Sequence, residues 1–179
     1  IYDGTDAIML SGESAMGKYP LEALKMMVKI AKETEIHLDH ALYRGRKVNK
    51  MDKKNISNQV GYAAVYTADQ LDAKAIIAPS ITGFTTRMLS KWRSSIPVYG
   101  MSPSISTVRQ MQLLYGVVPV WAKRADTTDE LISSSVEILK SGKYIKENDL
   151  VVITAGIIPD KIERGPAKYT NTMQVEIVK

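Results

Sequence analysis

Two hydroxyl-rich turns hold the residue types best suited to chemistry in this chain. The first, Ser11-Gly12-Glu13-Ser14, directly follows the apolar run at 7–10 and precedes Gly17-Lys18-Tyr19-Pro20. The carboxyl end of a strand and the amino end of a helix collect ligands, because free backbone N–H groups and the helix dipole point there. Ser11 and Glu13 are thereby placed where chemistry can happen. The second turn is Pro79-Ser80-Ile81-Thr82-Gly83-Phe84-Thr85-Thr86-Arg87. Its hydroxyls (Ser80, Thr82, Thr85 and Thr86), the tight-turn residue Gly83 and the first N–H groups of a following helix could converge on one phosphate. Arg87, Lys91 and Arg93 would add charge, although helical geometry points only some of them the right way. The plainer alternatives are helix caps: a Ser-Gly-Glu-Ser cap in the first turn, and Thr82 or Thr85 in the second.

The elements that must position these turns follow from periodicity. Residues 7–10 read as a short buried strand, and Pro20 suits the first position of a helix running to about residue 42. In that helix Leu24, Met27, Val28 and Ala31 recur at amphipathic spacing. A second helix is expected over about 56–71, with Val60, Ala63, Ala64, Ala68 and Leu71 on one side. From residue 73 onward, apolar runs at 75–78, 96–99, 117–120 and 150–154 alternate with helical stretches at about 85–93, 105–114 and 128–140. This βαβ series predicts an α/β fold with a doubly wound, mostly parallel sheet and helices on both faces. Residues 172–178 alternate in polarity and predict an edge strand, with an antiparallel setting open to it. The connection from 156 to 169 is long for a loop. It carries Lys161, Arg164 and Lys168 as candidate phosphate partners and Gly165-Pro166 as a turn; its plain reading is a mobile connection.

Composition bounds the function classes. The 179 residues exceed a typical single domain, and 45% hydrophobic content suffices for a core. There is no cysteine for a disulfide framework and no apolar stretch long enough to span a membrane. The net charge of +5 is concentrated between Tyr43 and Asn55, where Arg44, Arg46, Lys47, Lys50, Lys53 and Lys54 face only Asp52. With those six removed from 24 basic residues and one from 19 acidic, both signs stand at 18. No aromatics interleave the run, so it reads as a solvated linker rather than a nucleic-acid or phosphate patch. His37 and His40, with Asp39 between them, have helical spacing for a metal, but lack a third ligand and read as exposed or capping residues. Met26 and Met27 read as flexible core filler.

The string DGTDAIMLSGESAMGKYPLEA closely resembles the segment by which pyruvate kinases close their (β/α)8 barrel, and the resemblance continues to TNTMQV near the end. The chain opens inside this motif without an initiator Met and is expected to be a fragment. The resemblance implies three parts: a remnant of the catalytic barrel at 1–42 (last strand, active-site loop, helix), a basic linker at 43–54, and a C-terminal α/β regulatory domain at 55–179. It implies a cytoplasmic enzyme transferring a phosphoryl group from phosphoenolpyruvate to ADP, with Mg²⁺ and K⁺ whose ligands lie outside this chain. Ser11 would take part in proton relay to the enolate and Glu13 would position it. Ser80, Thr82, Gly83 and Thr85 match the loop that holds a phosphate of an allosteric effector. Family members activated by fructose 1,6-bisphosphate use a later Arg for the second phosphate, yet no Arg or Lys occurs from Ala125 to Leu139. The effector is therefore left open as a sugar phosphate or nucleotide, with the 156–169 loop closing over it. The family further implies a homo-oligomer, a tetramer for the parent and a dimer for the fragment. With one barrel strand, the fragment is expected to be inactive, and residues 1–16 to be frayed, repacked or paired with another copy. Neither nucleic acid nor membrane is expected as a partner. The alternative is a free-standing domain that senses a phosphorylated ligand.

Overall fold

A computed structural model describes residues 1–49, 51–52, 54–156 and 170–179. Its centre is a five-stranded sheet of β1 (Ala75–Pro79), β2 (Val98–Ser102), β3 (Val117–Trp121), β4 (Leu150–Ala155) and β5 (Thr172–Ile177), in the order β3-β2-β1-β4-β5. The first four strands run parallel and β5 pairs antiparallel with β4. β1 and β2 are buried at every position, as expected of parallel strands covered on both sides.

The period-2 alternation of β1 sorts the core into two layers. Ile76 and Ala78 join Val98 and Val152 beneath α4 (Ile56–Gln70) and α5 (Phe84–Ser90), against Ala64, Val65, Leu89 and Trp92. Ala75 and Ile77 join Tyr99, Met101, Val151 and Ile153 on the other face, against Val136 and Leu139 of α7 (Thr128–Ser141). Each fully buried Ile, Leu or Val here is worth about 1.5–3 kcal/mol relative to exposure. The remaining crossover helix, α6 (Ile105–Met111), packs on β2 and β3. Caps fix the helix starts: Asn55, Ser104 and Thr127 accept from Asn58, Thr107 and Glu130 N–H groups respectively. The chain is therefore a doubly wound α/β domain preceded by helices.

Two local expectations fail in the first fifty residues. Residues 7–10 form no strand, and Ala7, Ile8 and Met9 are exposed. An apolar run becomes a strand only where neighbouring strands take its N–H and C=O groups, and none lies beside it here. The single helix expected over 20–42 is instead two, α2 (Pro20–Ile36) and α3 (His40–Val48). Asp39 makes the break, its carboxylate accepting from Leu42 N–H at 2.8 Å to start α3 afresh. α3 thus occupies much of the basic stretch that composition reads as solvated. Arg44 is buried within it and pairs with Asp69 of α4, both side chains 9% exposed. The short helix α1 (Gly12–Ala15) and α2 have no buried residue, so the apolar stripe of α2 stands uncovered.

Candidate functional site

The sheet order places one turn at a privileged position. Crossovers leave β1 toward β2 and β3 on one side, while the chain returns from β3 across the sheet to β4 on the other. The carboxyl ends of β1 and β4 therefore flank the topological switch point, where open α/β sheets bind ligands. Ser80–Thr86 follows β1 there.

The turn is held from below by hydroxyls. Ser102 and Thr107 both donate to the Ile81 carbonyl, at 3.0 and 3.1 Å. Ser80 N–H donates to the Met101 carbonyl at 2.8 Å. Gly83 is the N-cap of α5 with φ +75°, a left-handed conformation natural to glycine. A Cβ there would stand 3.3 Å from both Met111 Cγ and Thr107 Cγ2. No side chain caps α5, so neither Thr82 nor Thr85 plays the plain capping role.

The candidate residues divide into two groups. Thr82 is exposed and Ser80 half-buried, and among the described residues no hydrogen bond engages either hydroxyl. These two present the accessible surface, while Gly83 is buried against Met111 and Thr107. Thr85 and Thr86 are buried. The Thr86 hydroxyl donates back to the Ala78 carbonyl at 3.4 Å, which ties α5 to β1 rather than facing a ligand. Thr85 Oγ1 accepts from Thr170 Oγ1 at 2.8 Å, and Thr170 N–H donates to Ser57 Oγ at 3.0 Å. This chain of hydroxyls joins α4, α5 and the lead into β5. At the end of β4, Thr154 Oγ1 is buried with no hydrogen-bond partner among the described residues. Ser57, Ser102, Thr107, Thr154 and Thr170 were not apparent from the sequence, because hydroxyls scattered over five elements have no common spacing.

Of the three cations expected to support the turn, Lys91 and Arg93 are engaged elsewhere. Arg87 is exposed. Lys91 donates to Asn58 Oδ1, and burial, then the neighbouring Lys47, pushes its ammonium below the ordinary value. Arg93 pairs with Asp6 at 3.1 Å. Lys161, Arg164 and Lys168 lie outside the described residues.

Ser11 and Glu13 remain adjacent in the first turn. Ser11 N–H donates to Glu13 Oε2 at 3.0 Å. Hydrogen bonds from the backbone N–H of Glu13 itself and then of Ser11 hold the carboxyl below its ordinary 4.5. The carboxylate thus fixes the turn while the Ser11 side chain stays exposed. The two histidines part: His37 meets Glu33 on the surface of α2, whereas His40 Nδ1 meets the Arg93 carbonyl at 2.8 Å. Among the described residues no group of three or more His, Cys, Asp or Glu is placed to hold a metal ion.

A doubly wound, mostly parallel sheet with helices on both faces and a hydroxyl-lined turn at its switch point defines an α/β domain. Residues 58–176 match the family described as "Pyruvate kinase, alpha/beta domain", and the chain belongs to the pyruvate kinase family. It is 39% identical over 180 residues to the pyruvate kinase of Sporosarcina psychrophila, covering 99% of this chain and 29% of the relative. It is 39% identical to the Clostridium acetobutylicum enzyme, with 99% and 36% covered, and 36% identical to that of Geobacillus stearothermophilus, with 99% and 29% covered. The chain thus spans about a third of the length of these relatives.

Proposed function

We propose that this chain is the carboxyl-terminal portion of an enzyme transferring the phosphoryl group of phosphoenolpyruvate to ADP, giving pyruvate and ATP. The observation that carries the reading is similarity over 99% of the chain to enzymes named pyruvate kinase, the Ser11–Glu13 turn included. Phosphoryl transfer depends on positioning and charge neutralisation, so an exposed hydroxyl on a turn fixed by its neighbouring carboxylate suits a residue that relays a proton. Mg²⁺ and K⁺ would be held by parts of the parent outside this chain, and the chain alone would not turn over. A cytoplasmic setting accords with the absence, among the described residues, of a helix long and apolar enough to cross a membrane.

The α/β domain is the regulator in this reading. Ser80, Thr82 and Gly83 would receive the phosphate of a sugar-phosphate or nucleotide effector, with Thr85 and Thr86 holding α5 in place behind them. Association of copies through this domain completes the proposed oligomer. The test is a coupled assay of pyruvate formation by the full-length enzyme beside this chain alone, with calorimetric titration of sugar phosphates and nucleoside monophosphates. Turnover by the full-length enzyme only, and phosphate-ligand binding weakened by Thr82→Asp, are expected. No turnover by the full-length enzyme would overturn the catalytic reading, and no binding by it would overturn the regulatory one.

A further inference from the structure

α5 joins two places that the sequence holds far apart. Its amino end carries the Ser80–Thr86 turn. Three residues beyond its last turn, Arg93 is only 2% exposed and holds φ +49°, a left-handed conformation costly for a residue with a Cβ. The surroundings over-determine that conformation. The guanidinium lies 4.0 Å over the Tyr115 ring and 5.6 Å from that of Tyr43. Its Nη2 pairs with Asp6 at 3.1 Å, while Nη1 is buried without a partner among the described residues. The Arg93 carbonyl accepts from His40 Nδ1 at 2.8 Å, and the Lys91 carbonyl accepts from Lys47 Nζ at 3.0 Å. The Arg93 carbonyl also accepts from Arg44 Nη1 at 3.5 Å, so three side chains of α3 meet the carbonyls at the negative end of α5.

Asp6 is the acceptor through which this buried cation reaches the first turn, five residues before Ser11. Asp6 itself is half-exposed, whereas the Arg93 side chain is 3% exposed, so the pair ties a surface carboxylate to a buried cation. A buried charge, a strained backbone and aromatic support assembled around a contact with a surface carboxylate mark the contact as selected for position.

We propose that the Arg93–Asp6 pair is a latch through which the position of α5, set at its other end by the Ser80–Thr86 turn, fixes the Ser11–Glu13 segment. A shift of α5 at Gly83 moves Arg93 with it, because a helix of this length transmits displacement along its axis. The pair then pulls or releases Asp6. Arg93 and Asp6 are positioning residues in this scheme and touch no reacting atom. The kinetic side of the proposal rests on the phosphoryl-transfer reading; the mechanical side does not.

The test is a cycle in the full-length protein, comparing wild type, Gly83→Ala, Asp6→Asn and the double variant, with Asp6→Glu as the rescue. Gly83→Ala perturbs the turn without touching the first segment. Hydrogen exchange of peptides covering residues 7–16 should rise about threefold or more on Gly83→Ala when Asp6 or Glu is present, the scale of couplings through packed elements. In the Asp6→Asn background the same change should have no further effect. The half-saturating phosphoenolpyruvate concentration and kcat should both follow the same pattern, because the displaced segment carries Ser11. Tyr115→Leu, which removes the ring beneath Arg93, should uncouple the two ends as Asp6→Asn does. Equal exchange responses with and without the Asp6 carboxylate would overturn the latch, as would no response to Gly83→Ala in the wild-type background. Failure of the wild-type enzyme to turn over would remove the catalytic reading and leave the exchange comparison to decide the latch.

Discussion

Gly100, in the middle of β2, is the position where one added carbon tests how closely α5 is seated on the sheet. A Cβ there would lie 2.7 Å from Thr86 Cγ2 and 2.9 Å from both Thr86 Oγ1 and Met111 Sδ. Met111 can swing its flexible end aside, but Thr86 is fully buried and holds the Ala78 carbonyl. Gly100→Ala therefore has to displace Thr86. Overpacking of a well-filled core costs about 1–3 kcal/mol, and loss of the Thr86 hydrogen bond adds about 1 kcal/mol. At about 2–4 °C per kcal/mol for a chain of this size, Tm should fall by about 5–15 °C. Thermal unfolding followed by circular dichroism measures this, with Thr86→Ala as the second arm. Thr86→Ala removes two of the three close atoms, so the double variant should be less destabilised than the sum of the singles. A Tm for Gly100→Ala within about 1 °C of wild type would refute this account of the contact. So would strict additivity.

Asp69→Ala strips the buried Arg44 of its carboxylate and the Ser94 and Ser95 hydroxyls of their acceptor; urea unfolding should show a loss of about 3–5 kcal/mol. Thr170→Val leaves the Thr85 hydroxyl without its partner while the Thr170 N–H keeps its bond to Ser57, and should cost about 1–3 kcal/mol and weaken phosphate-ligand binding in calorimetry. The Glu13 carboxyl, held below 4.5 in the folded chain, keeps its contact with Ser11 N–H above that range and loses it as pH falls through the lowered value. An NMR titration should show the Ser11 amide shift following the Glu13 midpoint, and Glu13→Gln should abolish that step.

The α/β domain was legible because the apolar runs of its parallel strands alternate with helical stretches along the chain. The alternating polarity of 172–178 likewise announced an edge strand and left an antiparallel setting open; β5 lies at the edge and is antiparallel. The segment at 7–10 misled for the same reason: an apolar run specifies burial, while strand formation needs partners that lie outside it. The break at Asp39 was hidden because the apolar spacing of α2 gives no sign of where a side chain will restart the helix. Charge counting misread 43–54, since it cannot tell that Arg44 is paired to Asp69 and Lys47 bound to a helix end. At the candidate site, the sequence offered the residues of the turn but not their division of labour. Whether Thr86 faces outward or back to Ala78 depends on the depth at which α5 sits, and that is set by Gly100 on another strand.

The antiparallel entry of β5 has a consequence for how such a domain can diversify. In a parallel sheet, a connection must carry the chain from one end of the sheet to the other, so its length is tied to the architecture. β4 ends and β5 begins at the same end of the sheet as the turn after β1, so the connection between these two strands is exempt. Insertions, deletions and changes of charge in it need not alter any strand register. The sheet can therefore be inherited unchanged while the connection between its last two strands is rewritten.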